Sequence, residues 1–86
     1  MPGVQENFPA LYELRVAGRL SSSSVAWFEG MTVTVDEEPA ANQPTQSIVR
    51  GIVRDQAALF GLVSRVRDLG LILISINRLE QGEGGL

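Results

Sequence analysis

One stretch decides the fold of this chain: residues 47–79, which read SIVRGIVRDQAALFGLVSRVRDLGLILISINRL. Its first part alternates, placing Val49, Gly51 and Val53 on one face of a predicted strand. Its middle part repeats with the helical period, and the apolar positions are Leu59, Leu62, Val63, Val66 and Leu69. Its last part, residues 71–79, is mostly apolar. The stretch therefore predicts a strand, a helix and a second strand.

Residues at both ends of the predicted helix support its bounds. Asp55 precedes the helix, and an aspartate carboxylate accepts hydrogen bonds from the unpaired amides of a first turn. Gly70 follows it, at a position where glycine adopts the positive φ that ends many helices. Because the strand that follows is apolar on both faces, we expect it to be central in its sheet or covered on both sides.

Two further strands and a short helix are predicted upstream. Residues 11–20 and residues 31–36 alternate between two faces, as strands do. Between them, the serines at 21–24 precede the apolar residues 25–28, which predicts one or two helical turns with a serine cap. Residues 37–46 contain two prolines and two acids and are typical of the loop of a long hairpin.

This order of elements predicts an α+β fold, a ferredoxin-like βαββαβ sandwich with a shortened first helix and a four-stranded, mainly antiparallel sheet. We expect the first and last strands to be central in it. If residues 21–30 are too short for a crossover, the alternative is a meander of the first three strands with the helix on one face. The single domain is predicted to span residues 10–80, between tails at 1–9 and 81–86.

The composition disfavours several functions. The 86 residues include no cysteine and no histidine, and all seven basic residues are arginine. The thiol nucleophile, the usual base near neutral pH and the Schiff-base amine are therefore missing, so we expect no cofactor and favour a non-enzymatic protein over the alternative of catalysis by Arg, Tyr or Asp alone. A net charge of −3 disfavours nucleic acid as a partner, and no apolar run is long enough for a membrane span. The lack of cysteine fits a cytoplasmic protein.

Polar and aromatic residues near the helix and along the strands are candidates for binding a small molecule or an anion. They are Asp55, Gln56 and Trp27 near the helix, and Arg50 and Arg54 on the third strand. Arg15 and Arg19 share a face of the first strand, so four guanidinium groups would bind an anion if the two strands are neighbours. The alternative is that each arginine pairs with an acid. Trp27, with Phe28, either lines a pocket or interface or closes the end of the core.

The sheet face away from the long helix is predicted to lack a cover. We expect it to carry part of the isoleucine set Ile72, Ile74 and Ile76, with Ala17, Thr32 and Thr34 nearby. An exposed apolar patch of this kind is unusual on a monomer. The sequence therefore predicts a homodimer, formed through a sheet face or an edge strand, and a non-enzymatic module that acts through protein contacts.

Several motifs resemble those of a family of short uncharacterised bacterial proteins. Members open with a Tyr-x-(Ile/Leu)-x-Val-x-Gly-x-Leu strand and continue through Trp-Phe-x-Gly to DQAALxGLLxxVRDLGLxLxSVxR. The matching residues here are Tyr12, Leu14, Val16, Gly18 and Leu20, then residues 27–30, 55–59 and 65–71, and Ser75. The resemblance spans residues 12–78 and implies no activity.

Residues 53–78 are also similar to the opening strand, helix and strand of ACT domains, which are ferredoxin-like modules that bind amino acids and dimerise. Those modules carry Asp-x-Pro-Gly-x-Leu where the strand meets the helix. Asp55 and Leu59 match that pattern, whereas Ala57 and Ala58 replace the proline and the glycine. That glycine lets a ligand approach the backbone closely. The similar unit lies in the second half of this chain, not in the first.

Overall fold

The computed structural model describes residues 8–38 and 42–79. The elements are, in chain order, β1 (Ala10–Ala17), α1 (Ser22–Val25), a 3₁₀ turn (Ala26–Phe28), β2 (Thr32–Asp36), β3 (Gln46–Val53), α2 (Gln56–Asp68) and β4 (Leu73–Leu79). The described part is α+β, with one four-stranded antiparallel sheet and two helices. Most of both predicted tails and residues 39–41 of the predicted loop lie outside the described residues.

The strands lie in the order β2-β3-β1-β4, and every neighbouring pair is antiparallel. The prediction that the first and last strands are both central is wrong for β4, because the chain returns from α2 to the far side of β1 and leaves β4 at an edge. The central pair is β1 and β3. The meander of the first three strands is also excluded, since β3 separates β1 from β2.

The core lies on one face of the sheet, under both helical segments. Leu14 of β1 and Val49 of β3 are directly opposite each other and fully buried. Leu62 and Val66 of α2 belong to the same cluster, as does Phe28 from the 3₁₀ turn. The period-two pattern of the strands and the stripe of the helix therefore produce the predicted core, and Phe28 closes it beside the short α1.

Local hydrogen bonds explain the ends of α2. The Asp55 carboxylate accepts a hydrogen bond from the Ala58 amide over 2.8 Å, as a helix N-cap does. At the other end, Gly70 has φ +74, which only glycine adopts without strain. Arg65 and Arg67 lie in the last turn, where cations interact favourably with the helix dipole.

A buried serine holds the turn that follows β1. The Ser47 hydroxyl donates to the Gly18 carbonyl over 2.7 Å and accepts from the Leu20 amide over 3.0 Å. Gly18 has φ +86, so the chain turns there and leads into α1. The hydroxyl therefore pairs two backbone groups that would otherwise be buried without partners.

Candidate functional site

β4 presents an apolar edge. It pairs with β1 on one side, and no described strand pairs with it on the other. From Leu71 to Asn77 the sequence has no charged residue and no proline. Ile74 and Ile76 are 41% and 37% exposed, and Ile72, just before the strand, is 68% exposed. Charges, prolines and short strands are the usual protection of an edge against pairing, and this edge has none of them before Arg78.

β2 forms the opposite edge and differs in character. Its exposed residues Thr32 and Thr34 are polar, and the strand ends at Asp36, which Glu37 and Glu38 follow. The strand has five residues, against seven in β4. A short strand that ends in three acids is a poor template for pairing with a second copy. The two edges are therefore not equivalent.

At least one of the three isoleucines predicted to lie partly on the open sheet face lies on the opposite face. Ile76 lies opposite Leu14, so its side chain is on the face that carries the helices. The register shifts between Arg15 and Val16, which disturbs the alternation at Ile74. Ile72 precedes the strand, and its carbonyl accepts a hydrogen bond from the Ala17 amide. They line the β4 edge instead.

The middle of the open sheet face carries an ionic network. Arg50 Nη2 donates to Glu13 Oε2 over 2.6 Å, and Arg15 Nε lies 3.3 Å from Glu13 Oε1. Glu13 is only 7% exposed, although no described helix covers this face. The hydrogen bond from Arg50 and the one from Arg15 lower the pKa of Glu13, against the opposing effect of burial. Glu13 is therefore a buried, ionised centre of this face.

The other arginines predicted as an anion site are also paired with acids. Arg15 Nη1 contacts Asp36 at 3.4 Å and donates to the Gln46 side chain over 3.0 Å. Arg19 pairs with Glu37, and Arg54 Nε lies 3.7 Å from Asp55 Oδ2. β1 and β3 are neighbours, as an anion site along them requires. Each arginine on them nevertheless has a carboxylate partner, which favours the paired arrangement that the sequence left open.

A groove lies on the other side of the molecule, between the 3₁₀ turn, the start of β2 and α2. Its two adjoining parts have volumes of about 420 Å³ and about 220 Å³. Arg65 and Glu29 line both parts; Arg54 lines the larger part and Trp27 the smaller one. Arg65 Nη1 donates to the Trp27 carbonyl over 3.0 Å, and no described carboxylate lies within 4 Å of its guanidinium group.

The groove brings together two of the predicted ligand residues, Trp27 and Arg54. Trp27 is 56% exposed, in contrast to the buried Phe28 beside it. Asp55 caps α2 next to the groove, and Gln56 is exposed at the start of that helix. Arg50 lies on the opposite sheet face, bound to Glu13. Sequence reasoning missed Arg65, because the helical period assigns it only to the outer side of α2.

The fold and these surfaces define a small α+β domain with one antiparallel sheet, and comparison with known proteins places it in a family. The model of a domain of unknown function, DUF8691, matches residues 11–77. The chain belongs to that family, which confirms the predicted membership of an uncharacterised family in this general form. No curated protein and no solved structure matches the chain. Among the described residues, neither helix is long and apolar enough to cross a membrane.

Proposed function

We propose that this domain is a non-enzymatic interaction module that forms a homodimer by antiparallel pairing of two β4 edges. The observation that carries this proposal is the apolar, uncharged edge of β4 from Leu73 to Asn77. Unpaired backbone groups on such an edge recruit another strand, and a second copy supplies an identical one. The acids and threonines of β2 disfavour the same pairing at the other edge.

A twofold axis suits this pairing. When an edge strand pairs with its own copy in the antiparallel sense, the two sheets join into one of eight strands, and the contact is the same on both subunits. Ile74 and Ile76 lie near the middle of β4, so each would come close to the partner's apolar residues. The pairing therefore combines backbone hydrogen bonds with burial of two half-exposed side chains.

The proposed architecture is ferredoxin-like, with similarity to ACT-type modules. The support is the strand order β2-β3-β1-β4 with all neighbours antiparallel, together with two helical segments on one face of the sheet. The first helical segment is reduced to α1 and one 3₁₀ turn. A bacterial, cytoplasmic protein remains the expectation that the cysteine-free sequence and the family resemblance suggest.

Oligomeric state in solution tests the dimer directly. Light scattering after size exclusion, from about 10 to about 500 µM protein, is expected to show twice the monomer mass at the upper end. Ile74→Lys and Ile76→Lys should shift the protein to monomer, since like charges would face each other across the twofold axis. Thr34→Lys, on the β2 edge, is the matched control and should leave the dimer intact.

Two results would contradict the proposal. One is a monomer mass for the unsubstituted protein over the whole concentration range. The other is a dimer that persists in both β4 variants and dissociates in the β2 variant, which would move the interface to the opposite edge. Far-ultraviolet circular dichroism of each variant shows that the loss of the dimer is not a loss of the fold.

Binding of a small molecule or anion in a regulatory, ACT-like role is the second candidate function. The observation that favours it is the groove beside α2, where Arg65 lacks a carboxylate partner among the described residues. The arginines of the open sheet face give it no support, because Glu13 and Asp36 already neutralise them. A metabolite screen by thermal shift would reveal such a ligand as a reproducible rise in melting temperature.

A further inference from the structure

We propose that the groove beside α2 binds a small organic carboxylate with an apolar body, its carboxylate held by Arg65 and Arg54. This names the ligand class of the second candidate function and rests on it, and it is independent of dimerisation through β4. The binding residues come from three segments: the 3₁₀ turn, the end of β3 and the middle of α2.

Arg65 is fixed in a position to receive an anion. Its Nη1 donates to the Trp27 carbonyl, which holds the guanidinium group across the groove. The remaining N–H groups have no hydrogen-bond partner among the described residues, and an arginine fork matches a carboxylate in geometry. The nearby Arg67, by contrast, pairs with Asp68 at 3.1 Å. The free donors of Arg65 therefore distinguish it from the arginine two residues further along the same helix.

The charges around the groove favour a single negative charge on the ligand. Arg65 is the cation of the lining without a described carboxylate partner, whereas Arg54 also pairs with Asp55 at 3.7 Å and Glu29 adds one negative charge. Glu29 lies more than 4 Å from the Arg65 guanidinium group, so it does not occupy the site by ion pairing. Its presence disfavours a ligand with two or three charges, such as phosphate. A monocarboxylate complements this lining better than a polyanion does.

The rest of the lining is apolar and leaves room. Met31, Ala58 and Leu62 lie along the larger part of the groove. Gly61 has no atom within 4 Å of the place where a Cβ would stand, so α2 leaves space there. The volume of about 420 Å³ lies within the range of about 300–1,000 Å³ found for small-molecule pockets. An apolar body of several carbon atoms fits against these side chains.

The unpaired end of β3 adds polar groups to the same place. The last pair between β2 and β3 is Thr32 with Arg50, so residues 51–53 have no described strand beside them on that side. Their backbone groups on that side make no strand hydrogen bonds, and they lie next to Met31 of the groove lining. A carboxylate ligand therefore meets hydrogen-bonding groups of both the arginines and the backbone.

Trp27 supplies a direct reporter, since it is the single tryptophan of the chain and lines the groove. Octanoate is titrated to about 30 mM while Trp27 fluorescence is followed, and calorimetry repeats the titration. A ligand of this size is expected to bind with Kd of about 0.1–10 mM. Octanol, which has the same chain without the charge, and inorganic phosphate, which has charge without the chain, are titrated in parallel.

The variants Arg65→Gln and Arg54→Gln are expected to weaken octanoate binding about tenfold or more, as the loss of a charged hydrogen bond does. Arg67→Gln is the matched control and should bind as the unsubstituted protein does. Saturable binding of octanoate, with neither octanol nor phosphate binding, supports the proposal. Absence of octanoate binding overturns it, as does equal binding of octanol or phosphate, or equal weakening in Arg67→Gln.

The same titration in Ile74→Lys separates this proposal from the dimer. Octanoate is expected to bind the monomeric variant with the same Kd, because β4 contributes no residue to the groove. Loss of binding in that variant, with its fold intact by circular dichroism, would show that the groove needs the second copy and that ligand binding is not independent of the dimer.

Discussion

Arg50 donates a hydrogen bond to Glu13 across the β1–β3 pair, and this contact lies on the sheet face opposite the two described helices. The two residues are directly opposite each other in the register, and Arg15 approaches Glu13 from the next outward position on β1. A carboxylate held between two guanidinium groups remains ionised although it is almost fully buried. The middle of the open face is therefore held by charge pairs, while the helix-covered face is held by apolar packing.

Replacing Glu13 by glutamine should lower the free energy of unfolding at pH 7 by about 1–2 kcal/mol. The amide keeps the size of the side chain but loses the charge that both arginines bind. The expected loss of stability is modest because the Arg50 side chain is half exposed, so solvent screens its ion pair with Glu13. Urea unfolding followed by circular dichroism measures the difference. Glu37→Gln, which removes an exposed partner of Arg19, is the control and should change little.

The same substitution should alter the pH dependence of stability. The pKa of Glu13 is lower in the folded state than in the unfolded state, where it is about 4.3. The ionised carboxylate therefore contributes fully to the free energy of unfolding above that pH, and this contribution is lost as the pH falls through the folded-state pKa. The difference in free energy of unfolding between the unsubstituted protein and Glu13→Gln should therefore become smaller below about pH 4. If this difference in free energy of unfolding is the same at pH 7 and at pH 3, the lowered pKa does not belong to Glu13.

Much of this fold follows from local patterns in the sequence. Alternation on β1 and β3 correctly separates Leu14 and Val49 from Glu13 and Arg50, and Asp55 marks the start of α2. The position of β4 in the sheet cannot be predicted from these patterns, because an apolar strand has the same sequence pattern whether it is central or forms an unprotected edge. The place of β4 in the sheet depends on the path that the chain takes after α2, and no sequence pattern near residues 69–72 predicts that path.

The candidate groove was only partly predictable for a related reason. Trp27 and Arg54 stand out in the sequence as an aromatic residue and a charge near a helix start. Arg65 looks like an ordinary outward-facing helical residue, and it becomes part of the groove only because the 3₁₀ turn lies beside α2 and offers the Trp27 carbonyl. The position of Arg65 in the groove is set by contacts between segments that are distant in sequence, not by the composition of either segment.

Removing the Ser47 hydroxyl should cost about 1–3 kcal/mol of stability. In Ser47→Ala the Gly18 carbonyl and the Leu20 amide lose their shared partner while they remain in the protein interior. Chemical unfolding measures the loss, and Ser22→Ala, an exposed serine in α1, is the control with an expected change within about 0.5 kcal/mol. Equal stability of the two variants would show that water replaces the hydroxyl.

Truncation to alanine should lower stability by very different amounts at the neighbouring aromatic residues Trp27 and Phe28. Phe28 is almost fully buried in the core, so Phe28→Ala should cost about 3–5 kcal/mol through the cavity that it leaves. Trp27 is more than half exposed, so Trp27→Ala should cost less than about 1 kcal/mol. Thermal unfolding of both variants checks this order. A larger cost for Trp27 would mean that its ring is buried, for example against a second copy.

The close contact between Gly51 and Met31 should appear as an energetic coupling. A Cβ at position 51 would stand 2.8 Å from Met31 Cε, 3.1 Å from Met31 Cγ and 3.3 Å from Met31 Cβ, so the flexible Met31 side chain must shift and Gly51→Ala should cost about 1 kcal/mol or less. Met31→Ala makes room for that methyl group, and the double variant should therefore be more stable than the sum of the two single losses predicts. Urea unfolding of the four proteins measures the coupling, and strictly additive losses would contradict it. Gly61→Ala, with no atom within 4 Å, is the control and should raise stability by about 0.5–1 kcal/mol through its helix propensity.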